Sequence, residues 1–446
     1  MQDYKRTLKN CFLNTGTLLD LATGNFLPGK NNSMILNGGL YTTNSFVGRE
    51  QTYKSTIAGG YFGRALHHYK SSEGLVWETE LSLQGKGRIL SISGCKSKED
   101  LADLDSRFTY YDNTEVSLED MFEIIKKVSA EKSIHMKDYI RETPFIGDDG
   151  KPILTIAPTF IFIDSFSAAS SSKEISLYAD NKLGDSKNNT VAMNDGRLKS
   201  EFGRQLPYLC GAKGIYLIST AHVGDKINMD GNPYSSPPKD LPTMRASDTI
   251  KRVGTQYSFL STNMLETRKV TPVQDSKKKN FYPSGSTSSD VELQQVTSYI
   301  TRCKNNVSGD PIELISSQFY GIQEYLEFHN FLSSLKCNLL EGVQEQKLGI
   351  HDQSFNRKNI REYIDKDPTF ARALQILAHF AFVRNRWFIP EINNIGYVEF
   401  CKMFNASKSL KEEILNSTGV WSFKEDKPSR NYLSIFDIIT KIRSAK

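Results

Sequence analysis

Residues 156–165 read Ile-Ala-Pro-Thr-Phe-Ile-Phe-Ile-Asp-Ser, an apolar run that ends in a carboxylate. A strand that is apolar on both alternating faces has no side to give to water. It belongs in the middle of a sheet covered by helices above and below. Such sheets are mainly parallel, and parallel neighbours need crossovers long enough to hold a helix. The first 320 residues keep to that pattern. Apolar or β-branched runs recur at Ser45–Val47, Leu75–Glu78, Ile89–Ile92, Thr159–Ile163, Gly214–Thr220 and Gln256–Leu265. Helical patterns at Lys54–Tyr69, Leu118–Ala130 and Arg197–Leu209 lie between them. The arrangement predicts an α/β fold with a mainly parallel central sheet flanked by helices.

Three polar, turn-rich stretches interrupt the alternation: Ser170–Gly196, Val223–Asp248 and Thr271–Ser289. Loops this long inside a compact core are usually functional or disordered. The last of them carries Lys277, Lys278 and Lys279, which read as a solvated hairpin tip. Beyond about Tyr320 helical patterns dominate, Phe370–Phe382 being the clearest. The expected division is a core at 1–322 and a smaller helical C-terminal domain at 323–446.

Composition removes several classes of function. No run reaches the roughly 18–20 apolar residues of a membrane helix, and the polar start, MQDYKRTLKNCF, has no apolar signal core. Cys11, Cys95, Cys210, Cys303, Cys337 and Cys401 form no CxxC pair, and the seven histidines show no metal-ligand spacing. His67-His68 reads as part of a solvated helix face. Scattered thiols fit a reducing cytoplasm. With 56 basic residues against 51 acidic ones, net charge neither requires nor excludes nucleic acid.

Chemistry begins at Gly48-Arg49-Glu50-Gln51-Thr52-Tyr53-Lys54-Ser55-Thr56, which follows an apolar strand and opens a helix. It fits the phosphate-loop pattern G-x-x-x-x-G-K-[ST] except at Tyr53, where the second glycine belongs. Such a loop surrounds phosphates with backbone N–H groups at the positive end of a helix. Lys54 would reach the outer phosphates of ATP, and the Ser55 hydroxyl would help hold Mg²⁺. The plain alternative is a helix start with a solvated lysine. Asp164, at the end of the apolar strand, faces the crevice where α/β sheets bind ligands and is the second Mg²⁺ candidate; the alternative is a capping aspartate. Hydrolysis also needs a carboxylate to orient and deprotonate water. Glu78 and Glu80, at the end of the Leu75–Glu80 run, are the candidates, and spacing does not choose between them.

In this order the motifs resemble the RecA family of P-loop ATPases, whose core carries such a sheet. The lead-in Asn14-Thr-Gly-Thr-Leu-Leu-Asp-Leu-Ala-Thr-Gly and Phe26-Leu-Pro-Gly29 is similar to that family's segment ahead of the phosphate loop. The resemblance selects Glu80 as the catalytic glutamate and assigns Asp164 to Mg²⁺. It makes His222, after Gly214–Thr220, the γ-phosphate sensor. The aromatic Tyr53 is similar to loops of UvsX-type recombinases of large tailed phages. Ile300–Asn306 and Gln318–Ile322 resemble the last core strands, where basic residues reach the ATP of a neighbouring subunit; Lys304 and Arg302 would do so here. Asn306 departs from the pattern, standing where a second basic residue is often found.

The resemblance further implies single-stranded DNA as partner and a homo-oligomer, with DNA held by two loops at Leu183–Gly196 and Val223–Arg252. The second supplies the candidates Lys226, Lys239, Arg245, Lys251 and Arg252, although its acids leave it nearly neutral and no aromatic array for stacking bases is present. A DNA-dependent ATPase forming filaments for recombination and strand exchange is therefore expected. A ring helicase of the DnaB type shares the motor and stays open, since Arg302-Cys-Lys304-Asn-Asn is close to its own trans-acting strand. The short lead before the phosphate loop speaks against it. A structural paralogue that binds nucleotide poorly because of Tyr53 is the third alternative.

Overall fold

The computed structural model describes residues 8–80, 83, 85–111, 116–180, 191–225, 249–251, 255–284, 289 and 291–444. Its centre is one large mixed sheet. The strands are β1 (Thr43–Gly48), β2 (Glu73–Glu78), β3 (Phe108–Tyr111), β4 (Thr159–Asp164), β5 (Ile215–Asp225), β6 (Thr249–Lys251), β7 (Asn263–Pro272), β8 (Leu293–Cys303), β9 (Pro311–Ser317) and β10 (Gly321–Ile322). Nine of them run in the order β10-β9-β8-β7-β1-β5-β4-β2-β3, and β6 lies off this path, paired with β5. From β7 to β3 every pairing is parallel, whereas β8, β9 and β10 extend the sheet in antiparallel fashion.

The run at 156–165 forms the expected buried strand: all six residues of β4 are buried. Its alternate side chains feed two cores, as strand geometry requires. Phe160 and Phe162 join an apolar cluster with Ile57, Tyr61 and Phe62 of α1 (Lys54–His68). Ile161 and Ile163 join a second cluster with Met121 and Ile125. Helices therefore cover both faces, and the strand's polar terminus is left at one edge.

Several expectations need correction. Ile89–Ile92 is not a strand but part of α2 (Lys86–Ile92). Ile89 and Ile92 lie three residues apart on one helical face, and both are buried against α1. The helices meet closely: a Cβ at Gly63 would lie 2.7 Å from Ser93 Cβ. Gln256–Leu265 divides into a short helix, Thr255–Leu260, and the start of β7 at Asn263. Ser170–Gly196 is not simply a loop, because helix Ser172–Asp180 falls within it. Its few apolar residues hide that helix, but Glu119 fixes the first turn by accepting from Ser172 N at 3.0 Å and Ser172 Oγ at 2.9 Å. The aromatic edge strand β3 escaped the sequence pattern.

The helices at Leu118–Ile134 (α3), Val191–Cys210 (α4) and Pro368–Arg386 (α5) contain their expected segments. Helix α5 starts with Pro368 after Asp367, whose carboxylate accepts from Thr369 N at 2.9 Å, a cap worth about 1 kcal/mol. Its buried residues share one cluster with Leu13, Phe46, Leu326 and Ile438, so residues after 323 pack directly on the sheet's helices. A three-stranded sheet (Leu340–Glu341, Gln346–Leu348, Ser354–Phe355) interrupts this helical region. His68 does not lie on a solvated face. It contacts the Trp421 carbonyl at 2.9 Å, and burial pushes its imidazole down to about 4. Lys277–Lys279 does occupy a tight turn, closed by Asp275 and the Gln274–Asn280 bridge. The six cysteines are free thiols. Among the described residues no helix is long and apolar enough to cross a membrane.

Candidate active site

Register places the expected groups side by side. Gly48 at the end of β1 pairs with His222 of β5, and Asp164 at the end of β4 pairs with Glu78 of β2. β1, β4 and β2 thus end together beside His222 of β5, and the C-terminal edge of such strands is where α/β sheets bind ligands.

The loop from Gly48 to Tyr53 leads straight into α1. Gly48 has no room for a side chain, since a Cβ there would lie 2.5 Å from Thr52 Oγ1. Tyr53, in place of the expected glycine, adopts the backbone a glycine would: φ is 63° and ψ 11°, in the left-handed region. It provides no side-chain acceptor to the helix start. The N–H groups of the first turn also have no intrahelical acceptors. An uncapped 15-residue helix therefore points its positive end at the site.

Lys54 is buried on this first turn. Burial lowers its pKa, and the nearby carboxylates of Glu80, Asp164 and Glu50 pull it back up. Ser55 Oγ donates to Asp164 Oδ1 at 2.9 Å, joining the two Mg²⁺ candidates. Asp164 is fully buried and also accepts from Thr220 Oγ1. A hydroxyl and a carboxylate are hard oxygen donors of the kind Mg²⁺ takes one or two at a time, completing its shell with water and phosphate oxygens. The donor set fits that ion. Among the described residues no cluster of three or more His, Cys, Asp or Glu is arranged to hold a metal without such help.

The two glutamates have different surroundings. Glu78 is buried and accepts from Leu83 N and Tyr110 Oη, which makes it a strut of the sheet. Glu80 is partly exposed over the site. Its Oε1 accepts from Ser165 Oγ at 2.6 Å and meets His222 Nε2 at 2.7 Å. Its Oε2 has no hydrogen-bond partner among the described residues. The structure thus brings Lys54, Ser55, Asp164, Glu80 and His222 into one constellation.

Arg302 and Lys304 are elsewhere. Arg302 pairs with Met264 in β7 and donates to Ser261 O at 2.9 Å, while Lys304 Nζ reaches Leu260 O at 3.4 Å. Gly48 is in register with Thr267, several residues further along β7. At about 3.3 Å per residue, Lys304 lies roughly 15 Å down the sheet from the Gly48 end of β1. Asn306, the departure from the basic pattern, donates to Leu21 O and Gly24 O and so holds the lead-in segment.

Of the DNA candidates, Lys226, Lys239, Arg245 and Arg252 lie outside the described residues, as do residues 183–190 of the first loop. Lys251 ends β6, whose antiparallel pairing with β5 (Thr249 with Asp225, Lys251 with Val223) closes the base of the second loop just beyond His222.

Sequence reasoning missed Thr220, Ser165, Ser167, Lys199 and Arg88 as neighbours of the site. Arg88 Nη2 donates to Thr56 Oγ1 at 3.2 Å, from a helix first read as a strand. Thr220 stands two residues before His222, on the same face of β5, and period-two spacing could have pointed to it. The sequence matches no protein-family model and no curated protein.

Proposed function

We propose that this chain is a Mg²⁺-dependent ATPase with a RecA-type core that assembles on single-stranded DNA and supports strand exchange. One observation carries the reading: Lys54 and Ser55 at an uncapped helix start, Asp164 bonded to Ser55, and Glu80 bonded to His222 converge at one sheet edge. Such a set serves phosphoryl transfer to water, where catalysis is largely positioning and charge stabilisation. Lys54 and the first-turn N–H groups bind the phosphates. Ser55 and Asp164 would hold Mg²⁺, which offsets phosphate charge when bound. Glu80 orients water and takes its proton through Oε2. The left-handed Tyr53 supports a working phosphate loop and weighs against the non-binding paralogue.

The DNA part rests on the RecA resemblance and on the β5–β6 ribbon beginning next to His222. In this reading His222 passes nucleotide state to the loop beyond it. Arg302 and Lys304 act on a neighbouring protomer's ATP, which implies head-to-tail assembly. The test is electron microscopy with single-stranded DNA, Mg²⁺ and a slowly hydrolysed ATP analogue, alongside ATPase assays with and without DNA. Helical filaments and DNA-stimulated turnover are expected. Closed rings threaded by DNA would replace the recombinase with a helicase. Neither assembly, together with no DNA stimulation, would overturn the DNA reading.

A further inference from the structure

The Glu80–His222 pair belongs to a closed ring of hydrogen bonds. Ser165 Oγ donates to Glu80 Oε1 at 2.6 Å. A hydroxyl has a single proton to give, so the 2.8 Å bond between Ser165 Oγ and Ser167 Oγ must be donated by Ser167. Ser167 Oγ in turn accepts from His222 N at 3.1 Å. An ionised Glu80 only accepts, so the 2.7 Å bond to His222 must be donated from Nε2. Every bond of the ring then has one donor and one acceptor, an arrangement in which neighbouring bonds reinforce one another.

The ring is anchored from outside. Lys199, buried on α4, donates from Nζ to the Ser167 carbonyl at 2.9 Å. The same ammonium pairs with Asp195 Oδ2 at 2.8 Å, one helical turn earlier. We propose that Ser167 and Lys199 are positioning residues for the candidate hydrolytic centre, fixing the His222–Glu80 pair and tying it to helix α4. This rests on Glu80 being the group that activates water. The first residues of α4 fall in the first of the two expected DNA loops, so the link gives movement of that helix a route to the base. Displacing α4 moves Lys199, which shifts the Ser167 carbonyl and loosens the hydroxyl chain behind Glu80.

The experiment is a comparison of kcat and KM against pH for the full-length protein and for Ser167→Ala, Ser167→Thr, Lys199→Met and Lys199→Arg. The charged groups around the pair are Lys54, which interacts with Glu80 and is itself drawn by Asp164 and Glu50, and Lys199 with Asp195 from α4. Ser167→Ala removes the donor that orients the Ser165 hydroxyl. A carboxylate that loses hydrogen bonding to its charged form holds its proton more tightly. The acid limb of kcat should therefore move to higher pH, with kcat down roughly tenfold and KM for ATP little changed. Ser167→Thr should restore both, and Lys199→Met should act in the same direction with partial rescue by arginine. Unchanged kcat and acid limb in both Ser167→Ala and Lys199→Met would overturn the proposal. A second measurement needs no variant and no turnover. Long-range proton–nitrogen correlation of neutral His222 should find the proton on Nε2, and a proton on Nδ1 would break the ring. If the wild-type protein hydrolyses no ATP while His222 carries its proton on Nε2, the ring stands and the catalytic reading fails.

Discussion

Glu80 and His222 meet through Oε1 and Nε2 at 2.7 Å, whereas Glu78, two residues earlier on the same strand exit, is buried against Leu83 and Tyr110. The two carboxylates, between which spacing did not choose, therefore have different surroundings, and in the ATPase reading only Glu80 serves as the base. Glu80→Gln keeps the shape but removes the base, so turnover should fall about 10²–10⁴-fold while ATP binding persists. Glu78→Gln should instead retain turnover within a few fold and lower the midpoint of thermal unfolding, because a buried acceptor is weakened. ATPase assays, nucleotide titration and melting curves on both variants check this. A Glu78→Gln protein that is stable but catalytically dead would reverse the assignment.

Tyr53 raises a separate question of backbone against side chain. A left-handed conformation costs a non-glycine residue about 1–2 kcal/mol, and its half-buried ring, packed on the core cluster, offsets part of that. Tyr53→Gly should therefore bind ATP within about threefold of wild type, its lost packing balanced by relaxed backbone. Tyr53→Val should weaken binding at least tenfold, because a β-branched residue resists positive φ and would pull the loop out of shape. Equal affinities for the valine variant and the wild type would show that the loop does not depend on this conformation.

His329 gives the fold a pH dependence remote from the site. It lies buried between Tyr282 Oη at 2.8 Å and Gln346 Oε1 at 2.9 Å, and burial pushes its imidazole down to about 4 from 6.5. The unfolded chain takes up the proton first. The stability contribution is therefore present above pH 6.5 and is lost as pH falls towards about 4. At about 1.4 kcal/mol per unit the loss amounts to roughly 3 kcal/mol. His68 and His379, lowered to about 4 and about 3, act in the same direction. Urea midpoints measured from pH 7.5 to 4.5 should fall less steeply for His329→Gln than for wild type. Parallel curves would remove His329 as a contributor.

What was legible in the sequence was whatever rests on local pattern. The apolar run before Asp164 announced a central strand because both its faces are buried. Gly48 through Thr56 announced a loop running straight into a helix start because backbone shape and helix start are encoded in adjacent residues. What escaped depends on partners brought from far along the chain. The role of Glu78 is decided by Tyr110 on the next strand, and the orientation of Glu80 by Ser165 and His222. Lys199 lies 32 residues from the carbonyl it holds. Ile89 and Ile92 read as a strand because two apolar residues three apart do not distinguish a helix face from a short buried run until α1 is placed against them.

The separation of Lys304 from Lys54 yields the last prediction. If one protomer's Lys304 and Arg302 serve the next protomer's ATP, each site is built from two chains, and the halves can be damaged independently. Lys54→Ala should not bind ATP productively, and Lys304→Ala should bind ATP but turn it over slowly, so each protein alone is nearly inactive. In an equimolar mixture that assembles at random, roughly a quarter of head-to-tail interfaces unite an intact Lys54 with an intact Lys304. DNA-dependent turnover should then recover to about a quarter of the wild-type rate. Recovery should vanish when the double variant Lys54→Ala, Lys304→Ala is mixed with either single variant, since no interface then carries both residues. Full turnover by Lys304→Ala alone would show that the lysine serves only its contact with Leu260, and would remove the argument for a shared site from this end of the sheet.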